Sequence, residues 1–518
     1  MKMTRKEFLI GTTAFAGCRW TALDDACGGG KTASPSYFCT WCVQVDLAQD
    51  AGARTRETLF PGDQGVPGAR DVIDERSLFG PDGWAASLYP RERASLYFML
   101  DDGWDVPYGL DPWGRGDMPA FGTHVLEAKR FPSFPGTPVE RLRELNRRIV
   151  DCGWRGAGVW VACQCHGDKK GAFRPDDAMR EELKRKLSES AEAGIDYWKI
   201  DWGMRDLDAG FRVLVSELAR AYHPALHVEH KPSCGRPILP DDFAESSDNA
   251  FNRAVLGTGD IFRTYDTLRP LDQVSTLARV AAYSRVIDRI GSRSLLNVED
   301  ALDVGAALGH TFGIMRCART SGAAEVLRAV RWQQLAPAFG GDAAFPTRTS
   351  DLVLEETHRF GDDAWYSPAR GKTLVQRAPA VIARGLPLPE VRPVGSERPF
   401  VVAGRNPNGA VGVCIVRRLA NGAFVTPPAE VSLDVAAAPG QAVALFGTVA
   451  SLVLRDVPAT RSVFAADLAD GEWHDVTAAV VRRDGRLAID GALLAKIGVE
   501  RNGADDTTSR PAVRLRFA

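Results

Sequence analysis

Along residues 36–385, short apolar runs alternate with amphipathic stretches. The runs at 37–43, 97–100, 158–162, 197–200, 226–228, 261–265, 295–298 and 336–339 are strand-length and rich in aromatic and aliphatic side chains, which predicts β-strands. Residues 138–152, 177–193, 209–221, 272–287 and 323–335 repeat their apolar positions at helical spacing. In the first of these, Val139, Leu142, Leu145 and Ile149 fall on one face, and Pro138 suits a first turn. Eight strands with intervening helices predict a closed (β/α)8 barrel of the TIM type over 36–385. Past residue 386 helical spacing nearly disappears. Short runs at 400–402, 411–416, 442–446 and 512–517 are punctuated by Asn-Gly, Pro-Gly and Asp-Gly turns, predicting an antiparallel β-sandwich over 386–518.

The strand ends carry the chemistry. The run 97–100 leads into Asp101 and Asp102, 197–200 brackets Lys199 and ends at Asp201, and 261–265 contains Arg263 and leads into Asp266. Trp41, Gln164, Glu229, Asn297 and Asp300 stand at or near the ends of other predicted strands. In a parallel barrel all these ends open on one face. A single strand-end Asp is as well explained as a helix cap or a turn residue. Carboxylates at several strand ends together point instead to one pocket, and paired carboxylates are what glycoside chemistry requires.

At 518 residues with 45% hydrophobic and 25% charged residues, the chain has the composition of a globular protein of two or three domains. A formal net charge of -2 gives no electrostatic case for nucleic acid as a partner. Lys2, Arg5 and Lys6 precede an apolar stretch at 8–17 that is too short to span a bilayer, which predicts export, followed by a flexible leader to residue 35. The route is open between ordinary secretion, twin-arginine export and lipidation. Lys6 replaces the second Arg of a twin-arginine signal, and membrane attachment would come only through a lipidated Cys18. The destination is therefore periplasmic, extracellular or the cell surface. Gly30-Lys31-Thr32 is not a P-loop, since Asp25 stands where the motif needs Gly. Ten Cys are scattered, with Cys39-x-x-Cys42 and Cys163-x-Cys165 the only close pairs; a zinc site usually needs two suitably spaced pairs, and no His stands in register nearby apart from His166. No cofactor and no metal are expected.

The order of these strand ends resembles the retaining α-galactosidases of glycoside hydrolase family 27 and their clan-D relatives in family 36. Asp101-Asp102-Gly103-Trp104 looks like the paired-Asp motif, Trp198-Lys199-Ile200-Asp201 like the nucleophile strand, and Arg263 to Asp266 like the acid/base strand with one residue fewer between them. The stretch beginning Asn297-Val298-Glu299-Asp300 is similar to the family's Asn-Asp-Pro-Asp-Met-Leu. The resemblance implies Asp201 as nucleophile and Asp266 as general acid/base, acting on an oligosaccharide or glycoconjugate. Lys199 is placed to hold Asp201 ionised and to reach a sugar hydroxyl, and Arg263 either to bind sugar hydroxyls or to position the nucleophile. Asp101 and Asp102 would take the 4- and 6-hydroxyls, Trp41 would face the ring, and Glu229 and Asp300 would complete the substrate contacts. Gly103 stands where family 27 has Cys, and His227-Val228-Glu229-His230 departs from the family's fifth strand. Asp248, in Ser246-Ser247-Asp248-Asn249, is the alternative acid/base.

Within the clan, α-N-acetylgalactosaminides and β-L-arabinopyranosides are the neighbouring substrates. Two other classes are compatible with these residues. One is a metal-dependent barrel hydrolase using Asp101, Asp102, His166, Glu229 and His230; the other is an inactive carbohydrate-binding protein on the same scaffold.

Overall fold

The computed structural model describes residues 34–50, 68–110, 121–169, 175–232, 249–264, 273–315, 323–338, 352–354, 357–359, 366–367, 372–373, 377–406, 408–420, 423–435, 441–457, 462–469, 471–498 and 510–518. The leader up to residue 33, with Cys18, and Asp248 and Asp266 lie outside them. Eight parallel strands form one sheet: β1 (Tyr37–Cys39), β2 (Tyr97–Leu100), β3 (Gly156–Val161), β4 (Tyr197–Ile200), β5 (His227–His230), β6 (Ile261–Arg263), β7 (Leu295–Asn297) and β8 (Gly313–Ile314). They neighbour one another in sequence order, with β8 beside β1. A parallel bridge between Asn297 and Thr311 joins the end of β7 to the residues entering β8, so the sheet closes into a (β/α)8 barrel.

The two-residue side-chain period of a strand sorts the barrel's contents. Phe38, Phe98, Leu100, Trp198, Ile200, Val228, Phe262 and Leu296 pack outward in the large core shared with the helices. Tyr37, Cys39, Tyr97, Met99, Tyr197, Ile261 and Leu295 alternate with them and form a separate inner cluster. Lys199, Glu229, Arg263 and Asn297 have the inner parity and are at most 1% exposed. The barrel axis is therefore apolar at the strand starts and ionic at their ends.

Helices 138–151, 177–193, 209–222 and 323–335 stand where the apolar spacing predicts them. Local chemistry starts them. Thr137 and Glu140 form a capping box ahead of Pro138, and Asp176 and Asp208 cap the next two helices. Two strand expectations are corrected. The first strand stops at Cys39 because a helix, Trp41–Asp50, begins there. The eighth strand is Gly313–Ile314, not 336–339, whose described residues simply follow the helix Ala323–Leu335. A two-residue strand is too short to leave a periodic signature.

The C-terminal part is a two-sheet β-domain. One sheet has eight strands, with Ala512–Phe517, Val443–Phe446, Val411–Val416 and Phe400–Arg405 at its centre; the other has five. Leu352–Leu354 and Val381–Arg384 belong to the first sheet, so it begins before residue 386. Val411–Val416 pairs parallel with Val443–Phe446, and Ala429–Asp434 parallel with Ser451–Arg455. The sheets are thus mixed rather than purely antiparallel. The chain steps from one sheet to the other and back here, so strands that meet again in one sheet run the same way.

Barrel and β-domain share one hydrophobic core. Gly404 and Gly412 are paired across neighbouring strands and lie against the helix Leu302–Ala307. A Cβ on Gly412 would fall 2.9 Å from Ala307 Cα, and one on Gly404 would meet the Ala307 carbonyl oxygen even more closely. Ion pairs flank this contact: Arg510 Nη2 to Asp303 Oδ2 at 2.6 Å and Arg328 Nη2 to Asp467 Oδ2 at 3.0 Å. Gly404→Ala is expected to cost about 1–3 kcal/mol by forcing the helix away from the sheet. The check is the denaturant midpoint; an unchanged midpoint would show that the two parts do not depend on this contact.

Candidate active site

Asp201 follows β4 directly and keeps the inward parity of Tyr197 and Lys199. Its backbone N–H donates to Val161 O at 3.2 Å, and Arg212 from helix Ala209–Tyr222 donates to the carbonyls of Ile200 and Asp201 at 3.1 and 2.6 Å. The strand end is therefore fixed before the side chain is considered. Arg263 Nη2 donates to Asp201 Oδ1 at 2.8 Å, and Trp160 Nε1 donates to Oδ2 at 3.3 Å. Burial alone would raise this carboxyl's pKa. The positive charges of Arg263, Lys199 and Lys231 outweigh it and hold the group well below the usual carboxylate range. Asp201 is an ionised carboxylate at any ordinary pH.

Arg263, at the end of β6, also meets two other carboxyl groups. Its Nε lies 3.2 Å from Glu229 Oε1, and its Nη1 lies 3.4 Å from Glu299 Oε1. Glu229 is wholly enclosed. It accepts from Tyr37 Oη at 3.1 Å, Tyr197 Oη at 2.6 Å and Asn297 Nδ2 at 2.7 Å. Its oxygens are committed to the barrel interior beneath Arg263, a supporting position rather than the substrate contact expected from the sequence.

A second centre forms around Asp101. Lys199 Nζ donates to Asp101 Oδ2 at 2.6 Å, and the Cys39 thiol donates to the same oxygen at 2.9 Å. The other oxygen takes the Asp102 N–H at 2.8 Å. Lys199 thus pairs with Asp101, and the guanidinium on Asp201 belongs to Arg263. Strand spacing cannot distinguish these pairings, because both cations point inward. Asp102 is held by Arg70 Nε at 2.7 Å and Trp202 Nε1 at 3.2 Å. Its Oδ1 and Arg70 Nη2 are buried with no partner among the described residues. Burial, only partly offset by Arg70, pushes the Asp102 pKa up to about 6.

The remaining expectations divide. Trp41 opens the helix Trp41–Asp50 and packs in the inner apolar cluster with Cys39 and Met315. The aromatic groups beside the two Asp centres are the buried Trp160 and Trp202, whose rings are 5.5 Å apart, with Phe121 5.3 Å from Trp202. Asp300 takes a left-handed backbone (φ 56°) and ties the turn after β7 to β8: its N–H donates to Gly313 O and its Oδ1 accepts from Met315 N, both at 2.9 Å. Gln164 joins the Met204 and Phe121 backbones. Asp266 and Asp248 are outside the described residues. His166 is exposed, and His230 faces Ser216 and Arg212 behind the strand. Among the described residues no group of three His, Cys, Asp or Glu could hold a metal ion.

Glu299, Arg70, Cys39, Trp160 and Trp202 were not singled out from the sequence as site residues. Trp160 and Glu299 carried a signal, since each continues the inward parity of its strand. Arg70 lies in a connection before β2 and carried none.

No family model matches the chain, and no curated protein matches its sequence. Among solved structures, it is similar to a GH27 β-L-arabinopyranosidase from Geobacillus stearothermophilus at 10% identity, over 95% of this chain and 98% of that one, with a TM-score of 0.44. It is similar to a candidate α-N-acetylgalactosaminidase of Bacillus halodurans at 12% identity, over 82% and 88% of the two chains, with a TM-score of 0.40. An α-amylase from Geobacillus thermoleovorans matches at 8% identity, over 94% and 99%, with a TM-score of 0.36. At these identities the likeness extends no further than the architecture already described.

Arg263→Met would leave Asp201, Glu229 and Glu299 without the guanidinium they share. The expected loss of stability at pH 7 is about 3–5 kcal/mol. The sign with pH follows from linkage. In the wild type Asp201 has a depressed folded pKa, so its contribution is present above the unfolded value and lost only as pH falls through the folded one. In the variant the carboxyl pKa values rise, so acidification to pH 5 lets the folded state take up protons and narrows the gap. Denaturant unfolding of both proteins at pH 7 and pH 5 measures this; a gap independent of pH would rule out the electrostatic role.

Proposed function

We propose that the protein is an exported retaining exo-glycoside hydrolase acting on α-galactosides or closely related glycosides. The observation that carries this reading is Asp201, a desolvated, ionised carboxylate at a barrel strand end, oriented by Arg263 and Trp160. An ionised carboxylate without bulk water is a competent nucleophile toward an anomeric carbon. One Asp201 oxygen bonds to C1 as the glycosidic C1–O bond breaks, and a general acid protonates the departing oxygen. Water then attacks C1, the bond to Asp201 breaks, and the general base takes the water's proton. Two inversions retain the anomeric configuration.

Asp266, three residues beyond Arg263, is assigned the acid/base role from its position in the sequence, with Asp248 as the alternative. In a retaining enzyme the two carboxyl groups stand about 5–5.5 Å apart. Asp102 Oδ1 and Arg70 Nη2, without a partner among the described residues, support recognition of a sugar hydroxyl, which can donate to the first and accept from the second. The charged start and apolar stretch at 2–17 support export, with the periplasm, the exterior or a lipid anchor at Cys18 as destinations.

Asp201→Ala is expected to lower kcat for an aryl α-galactoside by at least about 10³-fold while leaving the circular dichroism spectrum unchanged. Asp266→Ala is expected to slow substrates with poor leaving groups more than activated aryl glycosides. Chromogenic α-galactoside, α-N-acetylgalactosaminide and β-L-arabinopyranoside, assayed side by side, separate the substrate classes. Wild-type rates in Asp201→Ala would sink the assignment.

A further inference from the structure

Glu299 has no part in the mechanism above, yet it sits on the guanidinium that orients the nucleophile. It lies two residues past Asn297 and continues the inward parity of β7. It is 3% exposed, and its Oε1 is 3.4 Å from Arg263 Nη1. Asp201 occupies Nη2 of the same group at 2.8 Å, and Glu229 faces its Nε at 3.2 Å. Three carboxyl groups therefore compete for one cation.

They are not equally supported. Glu229 has two tyrosine hydroxyls and an amide donating to it. Asp201 has the shortest Arg263 contact and an indole N–H. Glu299 has the long Arg263 contact as its one hydrogen bond among the described residues. A carboxylate stripped of water and held by one long hydrogen bond is expensive, whereas the neutral acid in the same place costs far less. Among the described residues, the charged and titratable groups around Glu299 are Arg263 from β6, Lys199 from β4, Glu229 from β5, the Tyr37 hydroxyl from β1 and the adjacent Asp300. Of the two cations, Lys199 has its close contact with Asp101. Burial raises the Glu299 pKa, Arg263 and Lys199 lower it, and the negative charges of Glu229 and Asp300 raise it again, leaving it at about 8.

We propose that Glu299 is a proton-gated positioning residue: while neutral it leaves the Arg263 guanidinium to Asp201, and on ionisation it draws that guanidinium away and misaligns the nucleophile. This rests on Asp201 being the nucleophile of a glycosidase. Loss of the Glu299 proton to solvent is the only chemical change, and it sets the alkaline limit of activity. Above pH 8 the competent fraction falls with the protonated fraction, so kcat at pH 9 is about tenfold below that at pH 7.

The test combines a pH profile with a protonation measurement that needs no turnover. In the profile, Glu299→Gln, which mimics the neutral acid, is expected to remove the alkaline limb, raising the ratio of kcat at pH 9 to kcat at pH 7 about tenfold over wild type. Glu299→Ala, which likewise carries no charge to draw the guanidinium away, is also expected to lose the alkaline limb, with little change in KM. In difference infrared spectra, wild type should show a protonated-carboxyl C=O band at pH 7 that disappears towards pH 9 and is missing from Glu299→Gln. An alkaline limb that survives in Glu299→Gln, or a wild-type spectrum without that band at pH 7, overturns the proposal. If wild type hydrolyses none of the glycosides, the glycosidase reading fails by itself. The infrared comparison of wild type with Glu299→Gln, which requires no turnover, still decides whether Glu299 carries the proton.

Discussion

One guanidinium organises the ionic end of this barrel. Arg263 reaches from β6 to Asp201 after β4, Glu229 on β5 and Glu299 after β7. Glu229 passes the connection on through Tyr37 of β1, Tyr197 of β4 and Asn297 of β7. Five of the eight strands thus meet in a single buried polar network. Such a network is costly to desolvate and contributes little net stability. The outward-facing apolar residues, packed against the helices, supply the stability that lets it persist. In return the carboxylates are held in fixed orientation at the barrel mouth, a requirement of chemistry rather than of folding.

The site is divided into two charge centres with different tasks. Around Arg263 three carboxyl groups share one guanidinium, with Asp201 in closer contact than Glu229 or Glu299. Around Asp101 the pairing with Lys199 and Cys39 is closed upon itself. Asp102 stands between these extremes, with one oxygen held by Arg70 and Trp202 and the other unpartnered among the described residues. Two tryptophans link the centres: Trp160 donates to Asp201 and Trp202 to Asp102, ring against ring.

Much of the framework was legible along the chain. Runs such as 97–100 and 197–200 are strands to the residue, and 177–193 and 323–335 are helices to the residue, because a strand buried on both faces reads as a short apolar run and a half-buried helix as apolar positions at helical spacing. The first strand was overextended, since Trp41-Cys42-Val43 is as apolar within a helix as within a strand. Gly313–Ile314 was missed because two residues contain no period. The mixed pairing of the β-domain was likewise hidden, as strand direction depends on which sheet each segment joins and not on its own residues.

The sequence by itself determined which side chains face the barrel axis: Lys199, Asp201, Glu229, Arg263 and Asn297 are inward by strand parity, whatever surrounds them. It did not determine how they pair. That Lys199 goes to Asp101 and Arg263 to Asp201, that Glu229 lies enclosed beneath the site, and that Trp160, not Trp41, donates to the Asp201 carboxylate were decided only when the closed barrel brought distant strands together. Parity is a property of one strand's covalent geometry. Charge pairing depends on distances across a cavity, and those exist only once every strand is in place.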